Sequence, residues 1–270
     1  GGRYRVWPDR GGAQDTVAVE VAAGETATCA VRVHPSSGRA VTAGLGVVVT
    51  AGPGIRQATW HSMNAMDGLL GSFVQTLVQD REGNIWLGTY GGLSRYDGWQ
   101  FTHFSAGDGL ANENIQSLLE DRLGNLWIGT ENGLSRYDGR EFVHFDLIDT
   151  SSADQVNRLW LDREERLWVG TEESGLYRYD GGDDFSSFGM EDGLISSRIR
   201  ALLEDREGNL WIGTTGGVSR YDKSSFTNYA FGNVASRSVR AVLKDRRGRV
   251  WFGSAKGLYR YDGGGPGDRP

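Results

Sequence analysis

Five segments of the chain are near-copies of one another: DREGNIWLG from Asp80, DRLGNLWIG from Asp121, DREERLWVG from Asp162, DREGNLWIG from Asp205 and DRRGRVWFG from Asp245. Their tryptophans, Trp86, Trp127, Trp168, Trp211 and Trp251, are spaced 41, 41, 43 and 40 residues apart. A period near 40 restricts the chain to solenoids or propellers, and the patterning inside one unit decides which. Each unit offers four short runs rich in β-branched and aromatic residues, cut by turn residues; in the second they are NIQSLLED, NLWIGT, GLSRYD and FVHF. No helix of useful length fits. Four antiparallel strands per unit make a blade, and the expected fold is an all-β β-propeller.

The D-R-x-G stretch predicts the turn between strands one and two, the Asp accepting from following backbone N–H groups and the Gly taking the left-handed conformation. The five regular blades span 71–262, the last stopping after its third strand at GLYRYDG, ahead of a tail at 263–270. Residues 28–70 read as a degenerate blade: VRVHPSSGRAVTAG from Val31 aligns with LLEDRLGNLWIGT from Leu118, with Val41 in the tryptophan's place. Residues 1–27 supply the strand DTVAVEVA from Asp15, expected to complete the last blade and close the ring. Six blades follow from this scheme, with seven as the alternative.

The string LEDREGNLWIGTTGGVSRYD, with DGL opening successive units, resembles the two-component regulator propeller repeats of bacterial histidine kinases, hybrid regulators and other multidomain proteins. The resemblance covers Trp60 to Asp262. It implies a ligand-binding sensory propeller, periplasmic or extracellular, often reading glycan fragments. Residues 1–59 depart from the pattern, and HPSSGRAVTAG is closer to a WD-repeat, which implies a cytoplasmic interaction scaffold as the alternative. Kinase and receiver motifs are missing from this sequence, so any signalling output is expected in a larger multidomain chain. The start GGRYRVW reads as no signal peptide, and no apolar run reaches about 18 residues, so no membrane insertion is expected.

A formal charge of −6 and a pI near 5.3 disfavour nucleic acid, which demands a basic face. The single cysteine, Cys29, excludes an internal disulfide framework and a thiolate metal cluster. His34, His61, His103 and His144 lack metal-ligand spacing and read as rim residues. No phosphate loop, nucleophile elbow or zinc-protease motif occurs, so no catalysis, cofactor or metal is expected. Asp80, Asp121, Asp162, Asp205 and Asp245 share one turn context and read as structural caps. The arginines of the RY pairs, Arg95, Arg136, Arg178, Arg220 and Arg260, are expected to pair with acids or stack on aromatics.

Identical positions cannot recognise one off-symmetry ligand, so function is expected where the copies differ. The connections into each new unit differ most, and they share a face with the loops at Tyr90, Glu131, Glu172, Thr215 and Lys256. Two residues into each inner strand stand Gln75, Gln116, Asn157, Arg200 and Arg240, with Arg198 and Arg237 nearby. These would line the mouth of the central channel, either as water-satisfied polar groups or, more sharply, as an anion site shared by two blades. The expected function is a non-catalytic sensor binding a small or oligomeric ligand such as a glycan. The alternatives are a protein interaction scaffold and a lectin with one site per blade.

Overall fold

The computed structural model describes residues 38–51, 55–57, 60–147, 155–230 and 238–262. The first blade consists of β5 (Val74–Gln79), β6 (Ile85–Thr89), β7 (Gly92–Tyr96) and β8 (Gln100–Phe104). The second consists of β9 (Ile115–Glu120), β10 (Leu126–Thr130), β11 (Gly133–Tyr137) and β12 (Glu141–Phe145). The third holds β13 (Val156–Leu161), β14 (Leu167–Thr171), β15 (Leu176–Gly181) and β16 (Asp184–Phe188). The fourth holds β17 (Ile199–Glu204), β18 (Leu210–Thr214), β19 (Val218–Tyr221) and β20 (Phe226–Tyr229). The fifth has three strands among the described residues, β21 (Val239–Lys244), β22 (Val250–Ser254) and β23 (Gly257–Tyr261). Within each blade the strands pair antiparallel in chain order, and the first strands β5, β9, β13, β17 and β21 pack side by side along the axis.

Why this sequence builds this unit is visible at the turn between the first two strands. Each turn Asp accepts from a backbone N–H four residues on, and its second oxygen accepts from the indole Nε1 of the Trp six residues on, at 2.7 to 3.0 Å in all five blades. The D-R-x-G turn and the tryptophan are therefore one hydrogen-bonded device. Its fourth residue needs a positive φ, 84° to 91° at Gly83, Gly124, Gly208 and Gly248; Glu165 adopts 64° where the third copy reads DREER. The glycine after each W-x pair has a different cause. A Cβ on Gly170 would stand 2.5 Å from Ile199 Cγ2 of the next blade, and one on Gly129 2.6 Å from Val156 Cγ1.

The core is four apolar clusters, one at each junction between described blades. Trp168 and Leu176, for example, meet Ile199, Leu202, Leu210 and Ile212 of the following blade, and the other three clusters repeat the arrangement around Trp86, Trp127 and Trp211. The arginines of the RY pairs lie over the tryptophans of their own blades, guanidinium carbon 5.5 to 5.9 Å from the ring centroid. A second contact spans the junctions. Arg163 donates to the backbone carbonyls of Asp205 and Arg206 in the next blade at 2.8 and 2.7 Å, Arg206 reaches the carbonyl of Arg246 at 2.7 Å, and Arg81 grips those of Asp121 and Arg122.

The segment before the first blade differs from the expected degenerate blade. β1 (Gly38–Thr42) adds antiparallel to β12 at the outer edge of the second blade, and β2 (Val47–Thr50) adds to β8 at the outer edge of the first. β3 (Ile55–Gln57) and β4 (Trp60–Ser62) pair only with each other. The physical reason is that this stretch lacks the Asp–Trp device, so its backbone groups are satisfied on edges that the regular blades leave open. The strand expected to close the ring, within 1–27, lies outside the described residues, as does the tail, and with them the choice between six and seven blades. No helix among the described residues is long and apolar enough to cross a membrane.

Candidate functional site: the channel mouth and the loop-bearing face

One irregularity recurs in every inner strand. Between Val74 and Thr76, Ile115 and Ser117, Val156 and Arg158, Ile199 and Ala201, and Val239 and Ala241 the register with the second strand shifts by a residue. The residues left over are Gln75, Gln116, Asn157, Arg200 and Arg240. The ring singled out in the sequence is thus a ring of β-bulges, a device that takes a side chain out of the ladder and re-aims it.

Bonds radiate from these bulges to the loop-bearing face. Gln75 Nε2 donates to the Tyr90 hydroxyl at 2.9 Å and to Gln116 Oε1 at 3.4 Å, while Gln116 Nε2 donates to Asn114 Oδ1, whose own amide reaches Glu131 Oε2, both at 2.8 Å. In the third blade Asn157, which is buried, donates to Glu172 Oε2 at 2.7 Å and to the Ile199 carbonyl at 3.0 Å. Arg200 crosses from the fourth blade to Glu172 Oε1 at 2.9 Å, and Arg198 stands 3.9 Å from Glu172 and 3.8 Å from Glu173. Arg198 and Arg200 therefore stand among carboxylates, and of the arginines expected to share an anion at the mouth Arg200 is already engaged by Glu172. Arg240 and Lys256 are exposed; Arg237 falls outside the described residues.

Sequence reasoning passed over two features of this face. Phe73 stacks on Tyr90 with centroids 4.8 Å apart and planes 5° from parallel, although the rings are 57% and 51% exposed. Phe73 is not a repeated position, and the only available signal was an aromatic one step before an inner strand. Arg158, next to the bulge in the third blade, was hidden by standing one residue beyond the ring.

His103 and His144 are engaged inside their blades rather than free on the rim, and His34 lies outside the described residues. His103 is 7% exposed; its Nδ1 lies 2.9 Å from Ser94 Oγ and its Nε2 2.9 Å from the Gly68 carbonyl. His144 repeats the contact with Ser135. In the fourth blade Asn228 stands in the same place, bonded to Ser219 Oγ and donating to the Gly193 carbonyl. His103 and Asn228 fasten the DGL turn, whose glycine is left-handed at Gly68 and Gly193, to the fourth strand of its own blade. Burial lowers the His103 pKa, and the bond to Gly68 offsets this in part.

The family model for the two-component regulator propeller matches residues 68–91, 109–132, 193–216 and 233–256. No curated protein matches the chain. Among solved structures, the extracellular domain of a one-component system from B. thetaiotaomicron is similar at 22% identity and a TM-score of 0.61, over 89% of this chain and 33% of that one. The extracellular domain of a hybrid two-component system from the same organism is similar at 23% identity and a TM-score of 0.52, over 84% and 38%. The chain thus spans about a third of the length of these structures. Virginiamycin B lyase from Staphylococcus aureus is similar at 14% identity and a TM-score of 0.58, over 86% and 82%. At these identities the structural likeness is one of fold. Matched repeats and fold agree: this chain is an all-β propeller that carries four repeats matching the two-component regulator propeller model.

Proposed function

We propose that this chain is a non-catalytic sensor module whose loop-bearing face binds a small or oligomeric ligand, a glycan above other classes. The observation that carries the reading is the exposed Phe73–Tyr90 stack with the Tyr90 hydroxyl held by Gln75. A flat apolar surface bordered by the amides of Gln75, Gln116 and Asn114 and the carboxylate of Glu131 suits a ligand that is itself apolar on one face and rimmed with hydroxyls. The buried histidine His103, engaged on an outer strand, is not at hand as a base near the mouth, which supports a binding role. The extracellular-domain neighbours support a periplasmic or extracellular location and a larger parent chain.

Screening glycans and peptides, followed by calorimetric titration of a hit, tests the proposal. Tyr90→Ala should weaken a bound glycan at least tenfold, about 1.4 kcal/mol, with an unchanged melting curve. Unchanged affinity in that variant would defeat the reading. A stoichiometry near five would favour the lectin, and binding of polypeptides alone the interaction scaffold.

A further inference from the structure

We propose that Arg158 is an anion-binding residue in the axial channel, receiving a carboxylate or sulfate group of the ligand. The third position of the inner strands holds Thr76, Ser117, Arg158, Ala201 and Ala241. Four are small, and the fifth is the longest cation available. The position faces the inner strand of the following blade: Ser117 Oγ accepts from the Leu159 N–H at 3.2 Å. An arginine is too long for that gap, and Arg158 is exposed while its neighbours Asn157 and Leu159 are buried.

Its partners are few. Nη1 donates to the Asn157 carbonyl at 2.7 Å, and no carboxylate pairs with it among the described residues. The charge beside it is a like one, Arg200. Surrounding protein first, and Arg200 second, hold its pKa below the usual arginine value. Arg200 and Arg198, by contrast, have Glu172 and Glu173. A guanidinium kept in a confined channel beside another cation, with most of its donors unused, is set up to gain from a bidentate oxyanion. This inference rests on the loop-face reading, because the rest of such a ligand leaves through the mouth that the bulges surround.

Inorganic sulfate is the probe, titrated by calorimetry against chloride at matched ionic strength. The wild type should bind one sulfate, Arg158→Ala at least tenfold more weakly, and Glu172→Gln, which releases Arg200 and leaves Arg198 with Glu173 alone, more tightly. Alanine is the residue of the fourth and fifth blades at this position, and losing an unpaired cation relieves repulsion, so Arg158→Ala should melt at or above the wild-type temperature without sulfate. Sulfate binding that survives Arg158→Ala, or none in the wild type, overturns the site. The two proposals fail separately: Tyr90→Ala should leave sulfate binding intact, and a glycan affinity insensitive to Tyr90 would remove the loop-face reading while the Arg158 result stood.

Discussion

Asp162 accepts from the Glu164 and Arg166 N–H groups through one oxygen and from Arg166 Nε and the buried Trp168 Nε1 through the other. Asp162→Ala would strand the indole N–H and open the turn, and should cost about 2–4 kcal/mol in urea denaturation. Acid should act at the same residues. At Asp80 and Asp162 burial pushes the pKa up, but bonds from Asn84, Trp86, Trp168 and Arg166 outweigh it, and at Asp245 the Trp251 bond leads the lowering. With folded values below 3.8, their contribution is complete above that pH and is lost as pH falls through the folded values. His103 should act earlier. Its folded pKa lies below 6.5, so the unfolded chain takes the proton first and stability declines as pH drops from 6.5 through the folded value. His103→Asn, which copies Asn228, should keep the fastening and shrink that early decline in a melting series. The turn itself was legible, since Asp and Gly at fixed offsets announce it; the indole bond was not, because nothing in a string of letters shows two side chains six residues apart folding back together.

At the level of strands, the periodic part of the fold was legible and the departures from period were not. The runs NIQSLLED and NLWIGT correspond to β9 and β10, because alternation and turn chemistry are local. Residues 38–50 were misread as strands of their own blade because edge pairing to β12 and β8 is a long-range choice that leaves no local mark. The ring at the mouth was legible as a position and not as a bulge, and its partners Glu131 and Glu172 appeared only as neighbours on a face. The glycine of W-x-G sets how closely two blades approach. Gly170→Ala should therefore cost about 1–3 kcal/mol by overpacking against Ile199, measured by thermal unfolding; a neutral effect would mean that the third and fourth blades can slide apart.

On the scale of the whole molecule, stability is a chain of neighbour contacts, as in other repeat architectures. β10, β14 and β18 are buried along their whole length, while Leu77 of β5, Leu243 of β21 and Leu258 of β23 are 66%, 63% and 68% exposed. Amide hydrogen exchange followed by mass spectrometry should be slowest in β10, β14 and β18 and fastest in β5 and β23; uniform protection would show a single cooperative unit instead. The arginine grips between blades act on this chain in one direction only, from Arg81, Arg163 and Arg206 toward the following blade, and what they hold are main-chain carbonyls. A donor that reads the main chain is indifferent to the side chains of its neighbour. Any unit carrying the same turn and the same apolar seam can then be copied or exchanged behind another with no further change at these main-chain grips, which leaves the opposite face free to diverge residue by residue.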